Sequence, residues 1–260
     1  MMSLLFEPFK IKNMDLKNRF VRSATGDGGA DDEGHVSEEQ VELYRNLAEG
    51  GVGLIITGLA RVHDSGQIIP NENSIADDDC IKGLKKLTSM IHERDAKVAV
   101  QLFHAGRDAA RVLNVRNEKA IAPSFIEYDP YFEGDYRSMT EDDIWKIINA
   151  FGEAAGRARE ADFDAVQLNG AHGYLISQFL SPYTNRRDDE WGGALENRAR
   201  FLKEVYRAVR EKVGEDFPVL IKIGVKDEVP GGLGLEEGKL IARRSLEKEA
   251  ENHQHPYTFE

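Results

Sequence analysis

An amide, an imidazole and a phenol fall close together at Asn169, His172 and Tyr174, in the stretch Asn169-Gly170-Ala171-His172-Gly173-Tyr174. The apolar run Phe163-Asp164-Ala165-Val166-Gln167-Leu168 precedes them and reads as a strand. In parallel α/β folds, function gathers at the C-terminal ends of strands, so the three groups would share one mouth. Asn and neutral His can hold a polar oxygen, and a phenol is a weak acid that can deliver a proton. Each group also has a plainer explanation. Asn-Gly is a strong turn dipeptide, a lone His near a strand end is usually structural, and an aromatic ring can simply pack under its loop.

The other strand ends add Ser23-Ala24-Thr25-Gly26, Thr57-Gly58, Gln101 with His104, and Lys222. Together they are neutral hydrogen-bonding groups plus one cation, with no nucleophile–base pair, no convergent carboxylates and no metal cage. That set suits a polar heteroaromatic ring and a carbonyl. Lys222 stands in the run Ile221-Lys222-Ile223-Gly224, where a charge is costly unless it finds a partner; a snorkelling surface lysine is the alternative. His35, His63 and His92 match no catalytic pattern and are expected to be solvated. Gly231-Gly232-Leu233-Gly234 lacks the lysine and strand context of a phosphate loop.

The elements that must position these groups alternate between strand and helix. Strands are expected at Phe20–Ser23, Val52–Thr57, Val98–Leu102, Phe163–Leu168 and Pro218–Ile223. Ser37-x-x-Gln40 and Thr140-x-x-Asp143 are capping-box patterns opening two helices. Helical faces follow at Ile81, Leu84, Leu87 and Ile91, from Leu195 to Val213, and from Leu235 to Glu249. Five strand–helix units in sequence allow a doubly wound open sheet or a (β/α)8 barrel with about five of its eight units.

Hydrophobic residues make up 41% of the 260, enough for an extended core. A formal charge of −12 makes nucleic acid and anionic membrane surfaces poor partners. The single cysteine, Cys80, excludes an intramolecular disulfide; three preceding aspartates oppose its thiolate, so it reads as a bystander. With no signal-peptide pattern and no membrane-length run, a cytoplasmic location is expected.

Two longer motifs are more specific. Gln101-Leu102-Phe103-His104-Ala105-Gly106-Arg107, and the segment from Asn185 through Trp191-Gly192-Gly193 to Phe201, resemble the Old Yellow Enzyme family of FMN-dependent ene reductases (NADH:flavin oxidoreductases). The likeness runs from about Leu5 to Ala242. It implies a TIM (β/α)8-type barrel, incomplete here, with residues 1–244 as a partial FMN-binding domain and 245–260 as a divergent polar tail. It further implies FMN as cofactor and NADH or NADPH as reductant, with hydride passed to the C=C bond of an activated alkene such as an enone. Gln101 would pair with the flavin pyrimidine edge, and Lys222 would lie beside flavin N1 and O2. Ser23, Ala24, Thr25 and Gly58 would contact the flavin through backbone and small side chains. Asn169 and His172 would orient the substrate carbonyl, and Tyr174 would protonate the α-carbon. Many relatives carry His where Asn169 stands. The 185–201 segment would be architectural, and a homo-oligomer is compatible with the resemblance. The family continues through further strands whose loops bind the FMN phosphate, so the chain reads as C-terminally shortened. The alternative is a catalytically silent relative with weak or no flavin binding.

Overall fold

The computed structural model describes residues 3–250, with side chains through Arg243. The chain opens with an antiparallel hairpin of β1 (Phe9–Ile11) and β2 (Met14–Leu16). There follow β3 (Val21–Arg22), α1 (Glu38–Glu49), β4 (Leu54–Arg61), β5 (Asn73–Ser74), α2 (Ile81–His92) and β6 (Lys97–Phe103). Next come α3 (Ala110–Leu113), β7 (Ala120–Ala122), β8 (Tyr136–Ser138), α4 (Glu141–Glu160) and β9 (Ala165–Gly170). Last are α5 (Leu175–Leu180), α6 (Leu195–Arg198), α7 (Arg200–Val213), β10 (Val219–Ile223) and α8 (Leu235–Ala250).

The principal sheet runs β10-β9-β6-β4-β3, all parallel, with β5 added to β4. Chain order and spatial order coincide, without the reversal of a doubly wound sheet. The helices also occupy one face. Ile55, Val98, Val100, Val166 and Leu168 pack outward against Tyr44 of α1, Leu87 of α2, Phe151 of α4 and Val205 of α7. The opposite face carries Leu54, Ile56, the small Ala99 and Ala165, and Leu220, closed at the strands' N-terminal end by Met14 and Leu16 of the hairpin. This is an arc of a (β/α)8-type barrel.

A long-range contact across the mouth measures its curvature, and a second ties the hairpin to the opposite end. Five flat strands spaced ~4.8 Å apart would hold the outermost pair about 19 Å apart. Yet the Lys222 ammonium at the end of β10 lies 3.5 Å from the Ser23 hydroxyl just past β3. At the other end Lys12 donates to the Glu215 carbonyl at 3.2 Å. The sheet bends until its edge strands are one side chain apart. Among the described residues no strand follows β10, and β3 and β10 each leave one edge unpaired.

The expected caps form. Ser37 accepts the Gln40 N–H, and Thr140 and Asp143 make a reciprocal box. The strand expected at Val52–Thr57, β4, runs further than expected, to Arg61, because a register shift between Ile56 and Leu59 lets it pass Gly58. The helix expected from Leu195 to Val213 is broken at Ala199, where the buried Arg198 turns back to the Leu180 carbonyl at 2.9 Å. The hairpin was not anticipated, being too short to show a period. The boundary expected at residue 244 falls within α8, and residues 251–260 of the expected tail lie outside the described residues.

Candidate active site

Alternation along β6 and β9 turns Ala99, Gln101, Ala165, Gln167 and Asn169 to the concave face. Three side-chain amides there form a chain. Asn169 Nδ2 donates to Gln101 Oε1 at 3.0 Å, and Gln101 Nε2 donates to Gln167 Oε1 at 2.5 Å. Asn169 Oδ1 accepts the Ala171 N–H at 3.1 Å. All three amides are buried. Asn169 therefore differs from its expected place past the strand end: β9 continues to Gly170, and Asn169 is a strand residue with both functional atoms engaged. A primary amide carries two hydrogens and two lone pairs, so Asn169 and Gln101 each retain a donor and an acceptor for a ligand. Gln167 escaped the sequence reading, although its place two residues before Asn169 puts it on the same face.

Lys222 pairs in register with Asn169 across β9 and β10. It reaches over the arc toward Ser23 rather than snorkelling outward. Ser23 and Thr25 are exposed at the mouth, and Ala24 packs against the inner apolar cluster. Gly58 contributes by lacking a side chain: a Cβ would stand 3.0 Å from the Thr25 carbonyl and 3.2 Å from Asp27 Oδ2. Its N–H donates at 2.8 Å to the Tyr44 hydroxyl, which donates to Asp27 Oδ2 at 2.7 Å. Asp27 also accepts from Gln40 Nε2 at 2.7 Å. This network, absent from the sequence reading, moors the loop after β3 to α1 and β4.

His172 is exposed, with φ +61°, and its ring lies 6.0 Å from that of Tyr174. Partial burial, then the Lys222 charge, lower its pKa, keeping the imidazole neutral at neutral pH. Tyr174 is half-buried, its ring 5.4 Å from Phe103. Burial first, then the charges of Asp108 and Glu72, raise its pKa, so the phenol keeps its proton. The loop carrying both is fixed by Gln178 of α5. Its Nε2 donates to the Gly173 carbonyl at 2.7 Å and the Ala105 carbonyl at 3.1 Å, and its Oε1 accepts the Arg107 N–H at 3.2 Å. Gly106, at φ +64°, lies so close that a side chain would strike this amide. The glycine of the Gln101–Arg107 motif thus lets the loops after β6 and β9 interlock.

His104 is not at the mouth. It is buried, its Nδ1 accepting the Gly106 N–H at 3.0 Å and its Nε2 lying 2.9 Å from the Ser65 hydroxyl, which continues to His63 Nδ1 at 2.8 Å. Burial and then His63 push its pKa down to about 3. His63 and His92 are not simply solvated as expected: His92 lies 2.8 Å from Asp164. Burial holds the Cys80 thiol at about 12, as befits a bystander. The exposed Asp31 and Glu33 and half-buried His35 bring ligand atoms within 4.8 Å of one another, a grouping that the sequence pattern did not suggest. Arg107 pairs with Asp129, which accepts the Tyr183 hydroxyl at 2.7 Å, pinning the long excursion after β6. The 185–201 segment is architectural: Asn185 donates to the Phe179 and Trp191 carbonyls at 2.8 and 2.7 Å.

The residues fit a flat heteroaromatic ring on three counts. The amides retain unused donors and acceptors, Gly58 lets the Thr25 backbone approach β4, and the Lys222 ammonium projects over the mouth. Gln101, Lys222, Ser23, Ala24, Thr25 and Gly58 are the groups that would hold FMN.

The model of the NADH:flavin oxidoreductase / NADH oxidase family matches residues 4–255. The chain is 38% identical to the NADH oxidase of Thermoanaerobacter brockii over 92% of its length but spans 37% of that protein. It is 40% identical to the NADPH dehydrogenase of Geobacillus sp. (strain WCH70) over 95% of its length, spanning 71% of that protein. The structure superposes on Old Yellow Enzyme from Pichia sp. AKU4542 with a TM-score of 0.89 at 27% identity, covering 96% of this chain and 69% of that one. No described helix is long and apolar enough to cross a membrane.

Proposed function

The chain belongs to the NADH:flavin oxidoreductase / NADH oxidase family, and from that premise we propose that it passes hydride from NADH or NADPH, by way of FMN, to the C=C bond of an activated alkene such as an enone. Bound FMN supplies the two-electron carrier. The rest is asked of this chain's own side chains. Gln101 meets the polar edge of the ring with its unused donor and acceptor, and Lys222 offers a fixed cation. Neutral His172 donates to the substrate carbonyl, and Asn169 adds its remaining N–H; two donors on that oxygen make the β-carbon more electrophilic. Tyr174 keeps its proton at neutral pH and gives it to the α-carbon.

The observation that carries this reading is the convergence of Lys222, Asn169, Gln101, His172 and Tyr174 on one rim of a curved sheet. The test is spectroscopic and kinetic. Purified protein should be yellow, release FMN on denaturation and consume NAD(P)H with an enone. Tyr174→Phe should retain reduction by NAD(P)H and lose alkene reduction by about 10²–10⁴-fold. The open edges of β3 and β10 favour a second reading, a catalytically silent relative. Colourless protein that retains no FMN through gel filtration after incubation with it would establish that reading and defeat the first.

A further inference from the structure

Glu72 lies between β4 and β5, at the end of the loop that follows β4, and is only 3% exposed. Its Oε2 accepts the N–H groups of Ile68 at 3.1 Å and Ile69 at 3.2 Å. Its Oε1 is fully buried and has no hydrogen-bond partner. The guanidinium of Arg61 is directed elsewhere: to the Glu72 and Glu33 backbone carbonyls, both at 3.2 Å, and to Asp64 at 3.3 Å. A buried carboxylate oxygen left unpaired is rare, and a proton on the group is the simplest relief.

The carboxyl is joined to the surroundings of the phenol through Ile68. Ile68, whose N–H it accepts, packs in one apolar cluster with Phe103 and Tyr174. Backbone bonds run the same way, from the Ala105 N–H to the Gly66 carbonyl at 3.0 Å and from the Leu175 N–H to the His104 carbonyl at 2.9 Å. The loops after β4, β6 and β9 are thus one layered unit with Glu72 in its inner layer.

We propose that Glu72 is a positioning residue for proton delivery: neutral, it leaves the Tyr174 phenol a competent acid, and ionised, it holds the phenolic proton back. The inference rests on the reading of Tyr174 as the proton donor. The charged and titratable groups around the pair are Arg61 on β4, Asp108 and Arg111 after β6, and His172 after β9, whose ring lies 6.0 Å from that of Tyr174. Asp108 acts on the phenol with the same sign as Glu72, and Arg111 opposes both. Burial raises the Glu72 midpoint to about 7, against the pull of the two backbone N–H groups and Arg61. The switch therefore falls in the neutral range. An ionised neighbour disfavours phenolate, so donation from Tyr174 slows as Glu72 loses its proton.

The test begins on wild-type protein with FMN added and needs no variant: infrared titration should show a protonated-carboxyl carbonyl band disappearing across neutral pH. Glu72→Gln should abolish that band. It should also lower the ionisation midpoint of one tyrosine, identified as Tyr174 by its absence in Tyr174→Phe. Alkene reduction by wild type should step from a higher to a lower plateau across neutral pH, and E72Q should show one plateau. Absence of the band from the wild type, or an unchanged tyrosine titration in E72Q, overturns the assignment of Glu72. Full alkene reduction by Tyr174→Phe instead removes the phenol as donor, and the two failures are distinguishable.

Discussion

Replacing Glu72 by Gln should change the pH dependence of stability more than stability itself. The carboxyl titrates at 4.5 when freely solvated and at about 7 in the folded protein, where burial opposes its charge. The raised folded pKa fixes the sign: the acid form is favoured by folding, so the contribution is fully present below pH 4.5 and is lost as pH rises through about 7. Integrated between about pH 5 and about pH 8, the loss is roughly 2–3 kcal/mol. For a chain of this size that is about 5–10 °C in melting temperature. The amide of the variant cannot ionise, but it leaves a buried N–H group unpaired, at a cost of about 1–3 kcal/mol that does not vary with pH. The decisive measurement is therefore the difference between two differences: melting temperatures of wild type and E72Q, each near pH 5 and near pH 8. The wild type should fall relative to the variant as pH rises. A gap that is constant within about 1 kcal/mol would refute the claim that Glu72 is buried without a charge partner.

Three further substitutions probe the mouth. Gly58→Val should push the loop after β3 away from β4, since even a Cβ meets the Thr25 carbonyl at 3.0 Å; FMN retention in gel filtration should be lost, while wild-type affinity would refute the close-approach role. Gln178→Leu removes hydrogen bonds to Gly173, Ala105 and Arg107, and leaving those backbone groups unpaired should cost about 3 kcal/mol or more by denaturant titration. Lys222→Met should weaken FMN binding by about 10–100-fold, the value of a hydrogen bond to a charged group, and lower the flavin potential; an unchanged potential would place the ammonium away from the ring.

The outer sheet face was legible because its residues obey a simple rule: both-sided burial gives unbroken apolar runs such as Val52–Thr57 and Val98–Leu102. Curvature was legible only indirectly, through chemistry-bearing residues that made sense if their strands shared a mouth; Lys222 against Ser23 is that relation in space. Asn169 was placed just past the strand end because the apolar run stops at Leu168, and the pairing of β9 with β10 carries the strand on to Gly170. The Asp27–Tyr44–Gly58 and Gln178 networks were out of reach. Each joins polar residues far apart in sequence, and no periodicity marks a side chain whose partner is another loop's backbone. Glu72 was least visible, since nothing in Pro70-Asn71-Glu72-Asn73 distinguishes a buried carboxyl from a solvated one.

Charge at two length scales gives a last consequence. The protein carries −12 overall, and a nicotinamide dinucleotide is itself an anion, so their long-range encounter is repulsive. At the mouth the balance reverses: burial drives Asp108 and Glu72 toward their neutral forms, whereas Lys222 extends across the arc. Salt acts first on the longer scale, since the Debye length is ~10 Å at ~0.1 M ionic strength. Reduction of the FMN-loaded protein by subsaturating NADPH should therefore speed up as salt rises from about 10 to about 100 mM. Stopped-flow measurement at fixed pH reads this directly. A rate that falls with salt would mean that the reductant meets a positive local field before the negative envelope, and that Lys222 is not the mouth's whole electrostatic character.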